Sequence, residues 1–407
     1  MKKSTLKKYA NLIAKTGANV QRNQDVIVYA NIEIAYFVTY VVEACYKLGA
    51  RSIKVEWSFE DVQKLHVKYE SVETLGEVLS WQEEKFKYQT ETLPVRIYLE
   101  SSSPDSLKGI NQEKLSKSQK LRYPIIKPYI DEMENKYQWV IAAVPGQEWA
   151  TKVFPDLSKK QARMKLWDAI LFASRADGFN PLRSWEEHNL NLANHARKLN
   201  LLELRKLYIR SQNGTDLEIG LIPDALFIAG GDQSLKGIYF NPNIPTEECF
   251  TTPMRGKAEG IVYASKPLSF RGELIENFYL RFENGKVVEA HAEKNDDLLQ
   301  ILLNTDEGAR YLGEVALVPK ESPINQLNML FYNTLFDENA ACHIALGRGF
   351  TNCIIDYNRY TLEQLQEKGV NDSMIHIDIM IGTDDMQIEG ETKHGQLVTI
   401  FRNGTWA

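Results

Sequence analysis

Asp25-Val-Ile-Val-Tyr29, a segment of helical apolar spacing from Ile34 to Leu48 stopped by Gly49, and Ser52-Ile-Lys-Val-Glu-Trp57 decide the architecture of the first half of the chain. The first run is continuously apolar, as a strand covered on both faces must be. The middle segment spaces its apolar residues for a helix and closes on a glycine. Together they make one βαβ unit, and the rhythm continues. Pro94-Val-Arg-Ile-Tyr-Leu99 and Trp139-Val-Ile-Ala-Ala-Val144 read as further strands. Val72–Tyr88, Glu113–Tyr129 and Ser158–Ala173 read as helices, the second interrupted by Pro124 and Pro128, the third capped by Ser158. This alternation predicts a parallel sheet with helices on both faces. No Gly-rich phosphate loop follows any of these strands, so the usual device for holding a nucleotide is missing.

After a long helical segment, Trp185–Leu204, the pattern changes to short strands separated by turns: Leu207–Arg210, Asp216–Leu221, Leu226–Ala229 and Gly260–Ala264. A hairpin follows, Glu276–Phe282 and Lys286–Ala290, joined at Glu283-Asn-Gly285. Strands at Gln387–Glu389 and Leu397–Phe401 end the chain near a second Asn-Gly pair, Asn403-Gly404. With 407 residues the chain exceeds what one core serves. The expected fold is an N-terminal parallel-sheet α/β domain, residues 1–205, and a C-terminal α+β domain with a largely antiparallel sheet, residues 206–407.

The net charge of −6, with no basic block, excludes the usual footprint of nucleic-acid binding. No apolar stretch approaches a membrane span, and the Lys-rich start is too short and broken for a signal segment. Cys45, Cys249, Cys342 and Cys353 lie far apart, which suits reduced thiols in a cytoplasmic protein. Asn213-Gly-Thr215 and Asn403-Gly-Thr405 read as turns.

In the second half, Met374-Ile-His-Ile-Asp-Ile-Met380 alternates as a strand. Its isoleucines face one way, and His376 and Asp378 face the other, about 7 Å apart at roughly 3.3 Å per residue. An imidazole and a carboxylate so placed suit a divalent cation; a half-exposed ion pair would look the same. Other acids stand where periodicity does not ask for them. Glu247 and Glu248 lie in a Pro-bounded turn, Asn243–Pro253. Glu314 stands at the mouth of a buried strand, where it needs a partner such as Arg310, Lys320 or a metal. Phe336–Gly347, holding Glu338 and His343, reads as a short helix begun at Asp337 and ended at Gly347. His66, His188, His195, His291 and His394 have no comparable neighbourhood and read as structural or surface residues. If Glu248, Glu314, Glu338 and Asp378 converge with His343 and His376, two divalent cations would neutralise the four carboxylates.

These stretches carry a resemblance that spans nearly the whole chain. Asn241–Glu248, Asp306-Glu-Gly-Ala-Arg310 with Gly313-Glu-Val-Ala-Leu-Val-Pro319, Thr334–Ala341, His343-Ile-Ala345 and Asn371–Asp378 are similar to the thermophilic-type metalloaminopeptidases, the family of aminopeptidases T and S. Tyr9-Ala-Asn-Leu12, Val144-Pro145 with Trp149-Ala150, and Leu166-Trp167 extend it into the N-terminal half. The resemblance implies that Glu248, Glu314, Glu338, His343, His376 and Asp378 are metal ligands, with Glu314 bridging two ions. It implies zinc or cobalt, with magnesium or manganese as further candidates, a cytoplasmic homodimer, and peptides with a free N-terminus as substrates. Neither nucleic acid nor membrane is expected as a partner. Glu314 and Glu247 are the catalytic candidates, Glu247 as a proton carrier. The family carries a tyrosine seven residues after the position of His343, and here that residue is Phe350. Cys249 stands where an apolar residue is usual. Tyr357 or Tyr360 could supply the missing phenol. Without one, the alternative is a metal-binding but weak or inactive relative that acts as a binding protein.

Overall fold

The computed structural model describes residues 1–407. Its contacts divide the chain into two compact units, Met1–Glu187 with Gly231–Pro245, and His188–Gly230 with Thr246–Ala407. The division thus falls inside the helix Pro181–Leu201, ahead of the boundary expected after residue 205, and a later segment returns to the first unit.

The first unit is built on a parallel sheet in the spatial order Asn243–Ile244, Trp139–Ala143, Val95–Glu100, Asp25–Asn31, Ser52–Ser58. Val26, Val28, Ile97 and Val140 are buried, as strands covered on both faces require. Asn31 starts the crossover to Ala35–Lys47 by accepting a hydrogen bond from Glu33 N through its side chain. Ser158 caps Lys159–Ala173 as the sequence predicts. Two helices differ from expectation. The segment read as Val72–Tyr88 splits into Val72–Gly76 and Ser80–Thr92, because Gly76 backs directly onto Leu121 and the chain then turns extended at Glu77. Gln112–Met133 is continuous with Pro124 and Pro128 inside it, and a helix not foreseen, Glu60–Tyr69, follows the second strand.

The second unit holds two antiparallel sheets. The larger has nine strands, from Leu204–Arg210 and Asp216–Leu221 to Thr405–Trp406. Its hairpin Glu273–Glu283 and Lys286–Lys294 turns at Asn284 and Gly285, both with positive φ, as the favoured two-residue turn demands. The smaller sheet runs in the order His376–Met380, His343–Gly347, Leu312–Leu317, Cys249–Thr251, Ile228–Ala229. Val315, Leu317, Ile344, Leu346 and Ile379 from the small sheet and Leu207, Ile219, Val262, Phe278 and Phe401 from the large one share one core.

The segment Phe336–Gly347 is not one helix. A single turn, Thr334–Asp337, passes into a 3-10 turn, Glu338–Ala340, and then His343–Gly347 enters the sheet. Ile344 and Leu346 alternate into the core, and strands on both sides satisfy the backbone, so period two wins over the local helix signal. No helix is long and apolar enough to cross a membrane.

Ile344 lies at the centre of that apolar face and is fully buried. Ile344→Ala should lower the unfolding free energy of the second unit by about 2–5 kcal/mol. Urea titration followed by near-ultraviolet circular dichroism would measure it, and a loss below 1 kcal/mol would mean that this face is not the core.

Candidate metal centre

The register of the small sheet gathers the polar residues. Glu314 lies opposite Ala345, which lies opposite Asp378; His343 lies between Ala316 and Met380; Gly347 lies opposite His376. Residues directly opposed in an antiparallel ladder share a face. Glu314, His343, His376 and Asp378 therefore project from the side away from Val315, Ile344 and Ile379. Glu248 precedes Phe250, which opposes Ala316, and by alternation belongs to the same side. Ala316, Ala345 and Gly347 are the small residues between the charged ones. Gly347 has φ +106°, and a Cβ there would meet Ile375 O at 2.0 Å.

His343 Nε2 lies 3.1 Å from Glu248 Oε2. His376 Nε2 lies 3.0 Å from Glu314 Oε2 and 3.2 Å from Asp378 Oδ1. One set of donor atoms from Glu248, Glu314 and His343, and another from Glu314, His376 and Asp378, each fall within 4.8 Å of one another. Glu314 is common to both. Glu338 comes from the 3-10 turn and lies against Asp378, with Glu248 and Glu314 near enough to repel it. Both imidazoles are oriented from behind. His376 Nδ1 is 2.7 Å from Arg348 O, and His343 Nδ1 is 3.1 Å from Ala341 O. A carbonyl can only accept, so each Nδ1 carries hydrogen and each neutral ring would turn its Nε2 lone pair to the carboxylates. A metal-ligating histidine is held in this way.

Burial pushes Glu314 up to about 7; the His376 contact opposes this and the Glu248 charge adds to it. Glu338 is pushed well above the carboxylate range by burial and by Asp378 and Glu248. Burial would lower both histidines, but Glu248 lifts His343 to about 9, and Asp378 with Glu314 lifts His376 well above its usual value. Burial raises Asp378 too, yet the His376 charge outweighs it and holds that carboxyl below its ordinary range. Protons are standing in for missing positive charge. Hard carboxylate oxygens and imidazole nitrogens are the donor set of divalent cations. Asp378 Oδ1 is buried, with the His376 imidazole at 3.2 Å as its polar neighbour, and both groups are of the kind a divalent cation takes.

The remaining candidates lie elsewhere. Glu247 is buried, and its Oε1 stands 3.8 Å from His188 Nε2. His188, read as structural or surface, is buried and bonds Thr246 O at 2.7 Å. Nothing local in the sequence links positions 58 residues apart. Asn339, which the sequence alone does not single out, donates to Glu338 Oε1 at 3.3 Å and accepts from Glu247 N at 2.7 Å. The Phe350 ring meets His376 edge-on, with centroids 4.9 Å apart, and leans on Phe250. Tyr357 packs on the small cluster of Ile222, Ile354, Leu365 and Val370, and Tyr360 is exposed beside the Lys368 ammonium. The aromatic ring against the cluster is thus Phe350. Cys249 is buried with its thiol toward Leu192 O, and all four cysteines are free.

An acid–imidazole cluster of this composition suits divalent cations. The family model "Thermophilic metalloprotease (M29)" matches residues 2–406, and the chain belongs to that family. It is 39% identical over 403 residues to aminopeptidase AmpS of Bacillus subtilis strain 168, covering 99% of this chain and 98% of the relative. It is 37% identical over 405 residues to aminopeptidase T of Thermus thermophilus, covering 99% and 98%. The structure of wild-type AmpT from Thermus thermophilus superposes with a TM-score of 0.90 at 35% identity, over 100% of this chain and 99% of that one. The resemblance noted in the sequence holds, and the chain is a peptide hydrolase of a metal-dependent family.

Folded His343, at about 9 against an ordinary 6.5, and Glu314, at about 7 against 4.5, bind protons more tightly than they would unfolded. Their contribution to stability is therefore greatest at low pH and falls as pH rises from about 4.5 to about 9. Asp378 has the opposite sign, but its loss lies at acid below that window. The chelated protein should show a melting temperature that declines between pH 6.5 and 9, and zinc should remove most of the decline. A flat profile without metal would contradict the proton-bridged cluster.

Proposed function

We propose that the chain is a two-metal aminopeptidase that releases residues one at a time from the free N-terminus of peptides. The observation that carries this reading is Glu314, shared by two donor groups that each add one carboxylate and one imidazole. Glu248 and His343 would hold one ion and His376 and Asp378 another, with Glu314 common to both donor groups and Glu338 a sixth donor beside them. When bound, a pair of divalent cations polarises the scissile carbonyl and lowers the pKa of a water toward about 7. The chain's own part is orientation. Arg348 O and Ala341 O fix the imidazoles, and the ladder fixes the carboxylates on one face. A carboxylate must carry the proton from water to the leaving amine. Glu247, buried next to Glu248 with its Oε1 3.8 Å from His188 Nε2, is the candidate for this step. Zinc or cobalt suits the mixed nitrogen and oxygen donors better than magnesium or manganese, which favour oxygen. The family resemblance supports a cytoplasmic homodimer.

A short peptide and its N-acetylated copy, each incubated with enzyme before and after chelation, test this reading. Stepwise loss of N-terminal residues from the free peptide alone is expected. Chelation should abolish it, and zinc or cobalt should restore it. Internal cleavage by mass spectrometry, or equal cleavage of both peptides, would remove the aminopeptidase assignment.

Phe350 supports a second reading, a metal-binding relative of low activity. Its ring stands against His376 without a hydrogen-bond donor. Losing one donor to a transition-state oxyanion typically costs about 10²–10³ in kcat. Phe350→Tyr should then raise kcat strongly with KM little changed, the mark of an interaction made only in the transition state. Steady-state kinetics on leucine p-nitroanilide decides it, and an unchanged kcat would mean that no phenol is needed here.

A further inference from the structure

Asn339 ties together two segments of the chain that carry candidate donors. Its side chain is fully buried. Oδ1 accepts from Glu247 N at 2.7 Å, beside Glu248, across 92 residues of sequence. Nδ2 donates to Leu335 O at 3.0 Å and to Glu338 Oε1 at 3.3 Å. Its backbone carbonyl accepts from Ser322 Oγ at 2.6 Å. The orientation of the amide follows from its neighbours. Flipped, it would set an N–H against the Glu247 N–H and an oxygen against both the Leu335 carbonyl and the Glu338 carboxylate.

The segment Thr246–Glu248 needs such support. Glu248 lies just outside the strand Cys249–Thr251, so the ladder does not hold it directly. On the other side of the segment, His188 Nε2 donates to Thr246 O. Two buried polar contacts therefore fix the backbone on which Glu248 stands, and the Asn339 amide reaches on to Glu338 as well. A displacement of this amide would move Glu248 relative to Glu338 while leaving Glu314, His376 and Asp378 on their strands.

We infer that Asn339 is a positioning residue whose amide sets the separation of the Glu248 and Glu338 carboxylates, and so governs metal affinity at the Glu248–Glu314–His343 group. This rests on the two-metal reading above. Partners of this kind, one contact behind the ligands, commonly change metal affinity about 10–100-fold when lost.

Zinc titration of the chelator-stripped full chain, in competition with a chromophoric chelator, tests it with no need for turnover. The wild type should bind two equivalents. Asn339→Asp keeps the acceptor for Glu247 N but sets an oxygen against Glu338 and Leu335 O. It should weaken the equivalent at Glu248–Glu314–His343 about 10–100-fold and the other much less, since only Glu338 of the disturbed pair also touches Asp378. Peptidase activity should return with excess zinc. Asn339→Gln, which keeps the amide but shifts it by one methylene, should show the same selective loss should the aspartate variant not fold. Ser322→Ala touches the same turn only through the backbone; it should lower the melting temperature and leave both affinities as in the wild type. A folded Asn339 variant that binds both equivalents as the wild type does would overturn the inference. So would a Ser322→Ala protein with the same selective loss, since that would reduce Asn339 to a general packing role. A wild type that binds fewer than two equivalents would instead overturn the two-metal reading itself, and the inference with it.

Discussion

Like-charge repulsion on one buried face of a five-stranded sheet governs this protein. Buried Glu248, Glu314 and Asp378 converge there, half-buried Glu338 joins them from the adjoining turn, and His343 and His376 are the counter-charges beside them. Two unit charges 4 Å apart interact by about 4 kcal/mol at the effective dielectric typical of proteins. Several such pairs together are comparable with the whole stability of a domain, about 5–15 kcal/mol. The strain shows in the acid–base properties of the group: burial and mutual repulsion push Glu314 up to about 7 and Glu338 well above the carboxylate range, and the carboxylates raise both histidines. A cation bound here would displace protons, which would link metal affinity, pH and folding stability through the same few atoms.

The other face of the sheet is what makes that concentration of charge tolerable. Val315, Leu317, Ile344, Leu346 and Ile379 are buried in a core that the nine-stranded sheet completes. A slip of one residue in register would send the carboxylates into that core and the aliphatic residues into the cluster. The two faces therefore lock one another. Apolar burial fixes the register, and the register fixes the donors. Local geometry adjusts the fit. The ladder shifts between Leu312 and Glu314, at Gly313, where a Cβ would lie 2.3 Å from Arg348 O. The loop through Arg348 can then press its carbonyl onto His376.

Much of this was legible in the sequence, and the limits have physical causes. Met374–Met380 showed both its faces because alternation is local. The βαβ rhythm showed the parallel sheet for the same reason. Phe336–Gly347 misled, since Asp337 and Gly347 frame a helix and only sheet partners roughly 30 residues away in either direction make His343–Gly347 a strand. Convergence of the acids came from resemblance, because spacing along the chain carries no information about approach across it. His188 and Asn339 were invisible for a related reason. They contact the turn at Thr246–Glu248 through backbone atoms, and a backbone partner leaves no mark on the residue types of the segment it supports.

The donors themselves are held mostly by groups that never reach the cluster. Arg348 O and Ala341 O aim the imidazoles, Asn339 braces Glu338 and the turn before Glu248, and Asn371 Nδ2 ties Gly308 O to Gly347 O behind the strand ends. Most of these contacts are to backbone, which moves less than a side chain. The sheet thus presents its donors in nearly fixed positions before any cation arrives. A site fixed in advance loses little conformational entropy on binding, so more of the cation's interaction energy appears as affinity. It also keeps Phe350 in edge contact with His376. Of the three aromatic positions that the sequence brought forward, Phe350 is therefore the one whose ring is held against a donor, whereas Tyr357 packs on Ile222, Ile354, Leu365 and Val370 and Tyr360 lies beside the Lys368 ammonium.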